Sequence, residues 1–240
     1  AELAEVLIAG ITKAELLERT PCPDSLVLAS MGDDDLLLPP LPNHLFTRDT
    51  SCWIYNGVSI NSMMMPARKR ETINYEAIYR WHPRFAGSEF PVWSEGTQAG
   101  PATVEGGDVQ IIGNSAVLVG VSERTTSQGI ERLASRLFAG GKVNQIVAVE
   151  MNRTRAQMHL DTVMTMVDVG TFTIYGGLGK LPTLTLRPDG DKQISVTRNA
   201  PEDMYRIIAQ ALGVGELNVL ITPQDSMAAA REQWDDGSNS

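Results

Sequence analysis

The stretch Cys52-Trp53-Ile54-Tyr55-Asn56-Gly57-Val58-Ser59-Ile60-Asn61 decides how the chain is read. Residues 52–55 and 58–61 are short strands, and Asn56-Gly57 between them is a strong two-residue hairpin signal. Pro66 then introduces a helical stretch over about 68–80, and a short apolar piece follows at 90–93. Downstream the same order returns. A second hairpin spans 109–112, a Gly113-Asn114-Ser115 turn and 116–121. Ser127 caps a helix through Phe138 with Ile130, Leu133, Leu137 and Phe138 on its buried face, and 146–149 is the next strand. The third hairpin, 162–167 with 172–175, leads through a looser region to a helix at 201–212 and a strand at 217–221. Strand, strand, helix, strand thus occurs three times, with first strands about 56 and 53 residues apart, a period that signals modular assembly. The expectation is an α/β chain of repeated ββαβ modules at about 43–95, 102–150 and 158–222, packed as one body because no low-complexity linker divides them.

Upstream, residues 1–20 read as helix, with Leu3, Val6, Leu7 and Ile8 on one side. Thr12-Lys13-Ala14-Glu15 fits a capping box opening a second short helix, which Pro21 and Pro23 end. Leu36-Leu37-Leu38-Pro39-Pro40-Leu41-Pro42 cannot be a central strand, because its prolines lack N–H donors, and it reads as an extended connector. The 240 residues, 42% apolar and 20% charged, suit one large globular domain or two small ones. Lys and Arg number 20 against 29 Asp and Glu, a net charge of −9 that argues against a phosphate-backbone binder. No apolar run approaches the roughly 20 residues that span a bilayer, and the start lacks a basic flank followed by an apolar stretch. Two cysteines, Cys22 and Cys52, make no disulfide framework. A cytoplasmic protein without nucleic-acid or membrane partners is therefore expected.

What precedes each hairpin is the informative point. Arg48-Asp49 stands ahead of the first, Glu105-Gly106-Gly107-Asp108 ahead of the second, and His159-Leu160-Asp161 ahead of the third. Equivalent places in repeated modules face one axis, so these groups are expected to converge on one pocket. His159 and Asp161 are two apart, which in an extended strand puts both on one face. Each residue also has a plain structural reading. An Asp before a hairpin is commonly a turn or cap residue, Gly106-Gly107 commonly a tight turn, and His44 and His82 read as structural. Recurrence at one module position is what weakens that reading. Two chemistries suit a His, Asp, Asp, Glu pocket. One is a metal centre, for which a single His is thin and helical ligand spacings are absent. The other, preferred here, is a cation clamp: paired carboxylates match the N–H fork of a guanidinium, and a His held by a Glu shuttles protons.

Several motifs in register resemble those of bacterial arginine deiminases: Leu41-Pro42-Asn43-His44-Leu45-Phe46-Thr47-Arg48-Asp49, Glu105-Gly106-Gly107-Asp108, Ser122-Glu123-Arg124-Thr125, Met158-His159-Leu160-Asp161-Thr162 and Glu232-Gln233-Trp234-Asp235-Asp236-Gly237. The resemblance implies an α/β-propeller of five ββαβ modules, here a partial one with three present, and a helical insertion whose remnant is residues 1–28, ahead of a catalytic domain at 29–240. It implies hydrolysis of L-arginine to citrulline and ammonia without metal or organic cofactor, through a Cys thiouronium intermediate. Asp49 and Asp161 resemble the carboxylates that grip the guanidinium, His159 the general acid/base, and Glu105 the acid that orients it. Arg68 and Arg124 resemble the arginines that hold the substrate α-carboxylate, with Asn43 as a further polar contact. Arg68 also has a structural reading, since Arg68-Lys69-Arg70 could be an exposed helix start.

Arginine deiminases carry their nucleophile in a Gly-rich C-terminal segment that nothing in this sequence matches, and the first module also reads as missing. Cys22 lies in a Pro-flanked loop, and Cys52 reads as a buried strand thiol. The expectation is a chain with clamp and proton shuttle but no nucleophile, inactive alone. The alternative is a non-catalytic arginine-binding pseudoenzyme or a structural fragment. Open module edges are further expected to favour self-association.

Overall fold

The computed structural model of the protein describes residues 2–22, 24–190, 193–221, 227–228 and 230–231; the motif at 232–237 and Pro23 lie outside them. The chain forms two compact units, Ala1–Phe46 and Thr47–Ser240.

In the first unit α1 (Glu2–Ala9) stops at Gly10, then come β1 (Ile11–Thr12), α2 (Lys13–Arg19), α3 (Leu26–Ser30) and β2 (Leu36–Leu38). The helical reading of 1–20, with a second short helix opening at Thr12, holds except that the short strand β1 separates the two helices. Thr12 does open the second: its Oγ1 accepts the Glu15 N–H at 3.2 Å while Glu15 Oε2 accepts the Thr12 N–H at 2.8 Å. Leu36–Leu38, expected as connector, pairs antiparallel with β1. The prolines that excluded a central strand begin just beyond that short ladder.

The second unit opens with α4 (Thr47–Thr50), the hairpin β3 (Ser51–Ile54) and β4 (Gly57–Ile60), and the helices α5 (Pro66–Lys69) and α6 (Glu71–Trp81). Val58 then bridges Val92 in parallel. Next come the antiparallel pair β5 (Val109–Gly113) and β6 (Ala116–Val121), helix α7 (Ser127–Ala139) and β7 (Gln145–Glu150), which runs parallel to β6. The last set is β8 (Met164–Asp168) antiparallel to β9 (Thr171–Ile174), a hairpin β10 (Thr183–Asp189) and β11 (Gln193–Asn199), helix α8 (Met204–Leu212), and β12 (Asn218–Leu220) parallel to β9.

Three local expectations are corrected. The first hairpin turns at Tyr55-Asn56, with Tyr55 at φ +53° and Gly57 already paired with Ile54. Gly57 is needed for a different reason, because a Cβ there would lie 2.5 Å from the Trp93 ring and 2.6 Å from Pro91 O. The cap of α7 is Thr126, whose Oγ1 accepts the Gly129 N–H at 3.1 Å, and Ser127 is the first helical residue. The looser region is the regular hairpin β10–β11. Its first strand pairs with β7, giving a five-stranded sheet of order β11-β10-β7-β6-β5.

That sheet divides the core. Along β6, Val117, Val119 and Val121 face Ile130, Leu133 and Leu137 of α7, while Ala116 and Leu118 face Met204 and Ile208 of α8 and Phe172 of β9. Period-2 alternation buried on both sides produces this strand's continuous apolar run. Among the described residues the sheets close into no ring, and no helix is long and apolar enough to cross a membrane.

Candidate active site

Four candidate side chains sit just before a hairpin, on backbone that is not itself strand. Asp49 is in the single turn α4 ahead of β3. Glu105 precedes the 3-10 turn Gly106–Asp108, which runs directly into β5. His159 and Asp161 lie in a bend and turn before β8, so the extended strand expected around them is absent. The hydroxyl of Thr162 donates to His159 O at 2.7 Å and holds that bend.

The three leads meet. One carboxylate oxygen each from Asp49 and Glu105 and one ring nitrogen of His159 lie within 4.8 Å of one another, and all three residues are buried. Glu105 Oε2 is 2.7 Å from His159 Nε2, while Glu105 Oε1 accepts the Met64 N–H at 3.0 Å. Asp49 Oδ1 lies 3.7 Å from His159 Nδ1 and accepts the Gly107 N–H at 3.2 Å. A Cβ on Gly107 would stand 2.8 Å from the His159 ring and 3.0 Å from Asp49 Oδ1, so only glycine lets the imidazole and carboxylate come this close. Gly107 O in turn accepts the N–H of Asp161, which brings the partly buried Asp161 beside the same glycine.

Burial by itself would push the His159 pKa down. The hydrogen bond to Glu105 and the charges of Asp108, Asp49 and Glu105 outweigh it and raise the imidazole to about 9. His159 is therefore a cation at neutral pH. These side chains are of the kinds that hold divalent ions, but their donor atoms are spent on one another, on backbone amides and on Arg68. The set matches a proton relay better than a metal centre.

Arg68 is buried, which removes its reading as an exposed helix start. Its Nη1 meets Asp49 Oδ2 at 2.7 Å, and Nε and Nη2 both reach Glu71 Oε2, at 3.1 and 2.9 Å. A guanidinium thus already rests on the carboxylate assigned to grip one. Arg124 lies in the 122–125 turn, its side chain largely covered and its Nε 3.9 Å from Glu123 Oε1. Asn43 is exposed in the first unit. His82 is exposed and accepts the Arg84 N–H at Nδ1. Cys52 is buried, and burial pushes its thiol up to about 11, in keeping with a strand thiol. Sequence reasoning passed over Glu71, Asp108, Ser122 and Thr125. Glu71 stands three residues after Arg68, helical spacing for an ion pair, and the other three lie inside motifs whose roles went to their neighbours.

The arginine deiminase family (ADI) matches residues 1–240. The chain belongs to that family. Among solved structures, this arginine deiminase family member resembles the N-terminal domain of ArgZ, an arginine dihydrolase from cyanobacteria, in a mutant bound to substrate: TM-score 0.55 at 15% identity, covering 84% of this chain and 59% of that one. The apo structure of ArgZ gives 0.54 at 15% identity, covering 82% and 24%. DDAH from Pseudomonas aeruginosa, a mutant complexed with citrulline, gives 0.44 at 24% identity, covering 58% and 51%. The ArgZ likenesses speak to the mixed α/β fold, and the chain spans about half the length of DDAH and less than two thirds of either ArgZ structure.

Proposed function

We propose that this chain carries the guanidinium-binding and proton-transfer part of an arginine deiminase, which hydrolyses L-arginine to L-citrulline and ammonia. The observation that carries the reading is the buried meeting of Asp49, Glu105 and His159 from three separate hairpin leads. Asp49 and Asp161 grip the flat cation through its N–H fork. A cysteine thiolate attacks the guanidinium carbon. The bond from that carbon to one terminal nitrogen breaks, and the nitrogen leaves as ammonia with the proton of the His159 imidazolium. The neutral imidazole then takes one proton from water as its oxygen adds to the thiouronium carbon; the C–S bond breaks as the remaining O–H proton passes to solvent, and citrulline and thiolate are released. Glu105 holds the ring for both transfers. A protonated His159 at neutral pH supports the first step.

Cys52, with a thiol near 11, does not suit the nucleophile, and the proposal places that group outside this stretch of sequence. Arg68 and Arg124 take the substrate α-carboxylate. Arg68 and the substrate guanidinium compete for one Asp49 oxygen, so Arg68 turns from Asp49 to the α-carboxylate as arginine enters. In the same reading the three ββαβ repeats are three of the five modules of an α/β-propeller, residues 1–28 belong to a helical insertion, and open module edges favour self-association.

Calorimetry with L-arginine is expected to show saturable binding that the Asp49→Ala, Asp161→Ala double variant loses. Equal binding by a folded double variant overturns the clamp. A citrulline assay on the chain alone is expected to show no turnover, and turnover would place a nucleophile within these residues.

A further inference from the structure

Asp108 has no exposed surface, and each of its carboxylate oxygens accepts a hydrogen bond. Oδ1 takes the backbone N–H of Leu160 at 2.9 Å, and Oδ2 takes the hydroxyl of Ser122 at 2.6 Å. The same Ser122 oxygen accepts the N–H groups of Arg124 at 3.0 Å and Thr125 at 3.1 Å, and Thr125 Oγ1 accepts the N–H of Glu105 at 3.0 Å. Three segments far apart in sequence are therefore tied at one carboxylate: the turn with Glu105, the turn with Arg124 and the bend with His159 and Asp161. Within the bend, two successive amides are held by two successive residues, Leu160 by Asp108 and Asp161 by the carbonyl of Gly107. Gly120 makes the room, since a Cβ there would stand 2.4 Å from Asp108 Oδ1.

The hydrogen bonding selects a carboxylate over its amide. Both lone-pair directions of the Ser122 oxygen are taken by amides, so the hydroxyl has only its proton to offer and needs an acceptor. An asparagine could receive Leu160 but would turn an N–H toward a hydroxyl that is already saturated.

We propose that Asp108 is the positioning residue of this site: it fixes the His159–Asp161 bend against the Arg124 turn and so holds the imidazole on Glu105. This rests on the reading of His159 as acid/base. Burial raises the Asp108 carboxyl to about 7, against which the charge of His159 and the bonds from Ser122, Thr125 and Leu160 work. Charged groups around the pair include Glu105 and Asp49 on the imidazole, Arg68 on Asp49, Asp161 in the His159 bend, Arg124 in the tied turn, and Arg48, whose guanidinium donates to the carbonyls of Gly106 and Val109.

NMR of the chain tests it. The Leu160 amide is expected to titrate with a midpoint near 7 and the His159 ring with one near 9. In Asp108→Asn the His159 midpoint is expected to fall by about one pH unit. In Ser122→Ala it stays, while the Leu160 midpoint rises because the carboxylate has lost a donor. An unmoved His159 midpoint in folded Asp108→Asn overturns the proposal. So does a Leu160 amide in the unmutated chain that is flat across about pH 5 to 9, a reading that stands even if Asp108→Asn fails to fold. Failure of arginine to bind, with these titrations as expected, removes the guanidinium reading and leaves the link between Asp108 and His159 in place.

Discussion

Glu105 is wholly buried, with one oxygen on the His159 ring and the other on the Met64 amide. Its hydrogen bond is the foremost influence raising His159 to about 9 against burial. Replacing the carboxylate by its neutral isostere removes that support and keeps the shape. We expect Glu105→Gln to bring the imidazole midpoint down toward its ordinary value near 6.5, as read from histidine ring carbons in a pH series. Which acids and imidazole would meet was legible in the sequence, because Asp49, Glu105 and His159 recur at one position relative to their hairpins. The Arg68 contact was not. Its basic run suggests solvent, and only the folded chain shows the guanidinium seated between Asp49 and Glu71. Asp108 stayed unassigned for a related reason: a residue that binds a remote backbone amide leaves no pattern in its own neighbourhood.

Among the elements, α7 is the clearest case of pattern becoming structure. Ile130, Leu133 and Leu137 return every three or four residues and all lie against the central sheet. Its cap escaped the sequence because Thr126 and Ser127 are adjacent and both competent, and only backbone geometry decides between them. Removing the Thr126 hydroxyl leaves the Gly129 N–H without its acceptor. Thr126→Ala is expected to lower unfolding free energy by about 1 kcal/mol in urea titration. The hairpin β10–β11 was obscured by its punctuation. Pro188 and Gly190 are strand breakers by reputation, yet Pro188 sits within the β10–β11 ladder, opposite Ile194. Its alternation is also diluted on β11, which is largely exposed.

For the molecule as a whole, the shifts of His159 and Asp108 act in the same direction. His159 is raised from 6.5 to about 9, so its stabilising contribution is complete below 6.5 and disappears as pH climbs through 9. Asp108 is raised from 3.8 to about 7, so the fold loses stability as that carboxyl ionises between those values. Their sum predicts a Tm that falls by roughly 5 °C or more between mildly acidic and mildly alkaline buffer, checked by calorimetric scans across the range. A flat or rising Tm contradicts it. The hairpins β3–β4, β5–β6 and β8–β9 were readable from turn signals and alternation alone. Attachment of β10–β11 to the sheet of β5, β6 and β7 was not, since strand pairing over long separations depends on packing that no local window contains.

That attachment has a consequence for the imidazole. Thr183 pairs with Val149, and the Glu150 N–H reaches Pro182 O, so the chain between β7 and β10 leaves the central sheet and comes back to it almost where it left. Everything between those points, the His159 bend included, is a loop whose two ends are zipped together. Its excursions are bounded on both flanks, and amide exchange there should follow opening of the sheet instead of fraying of a free arm.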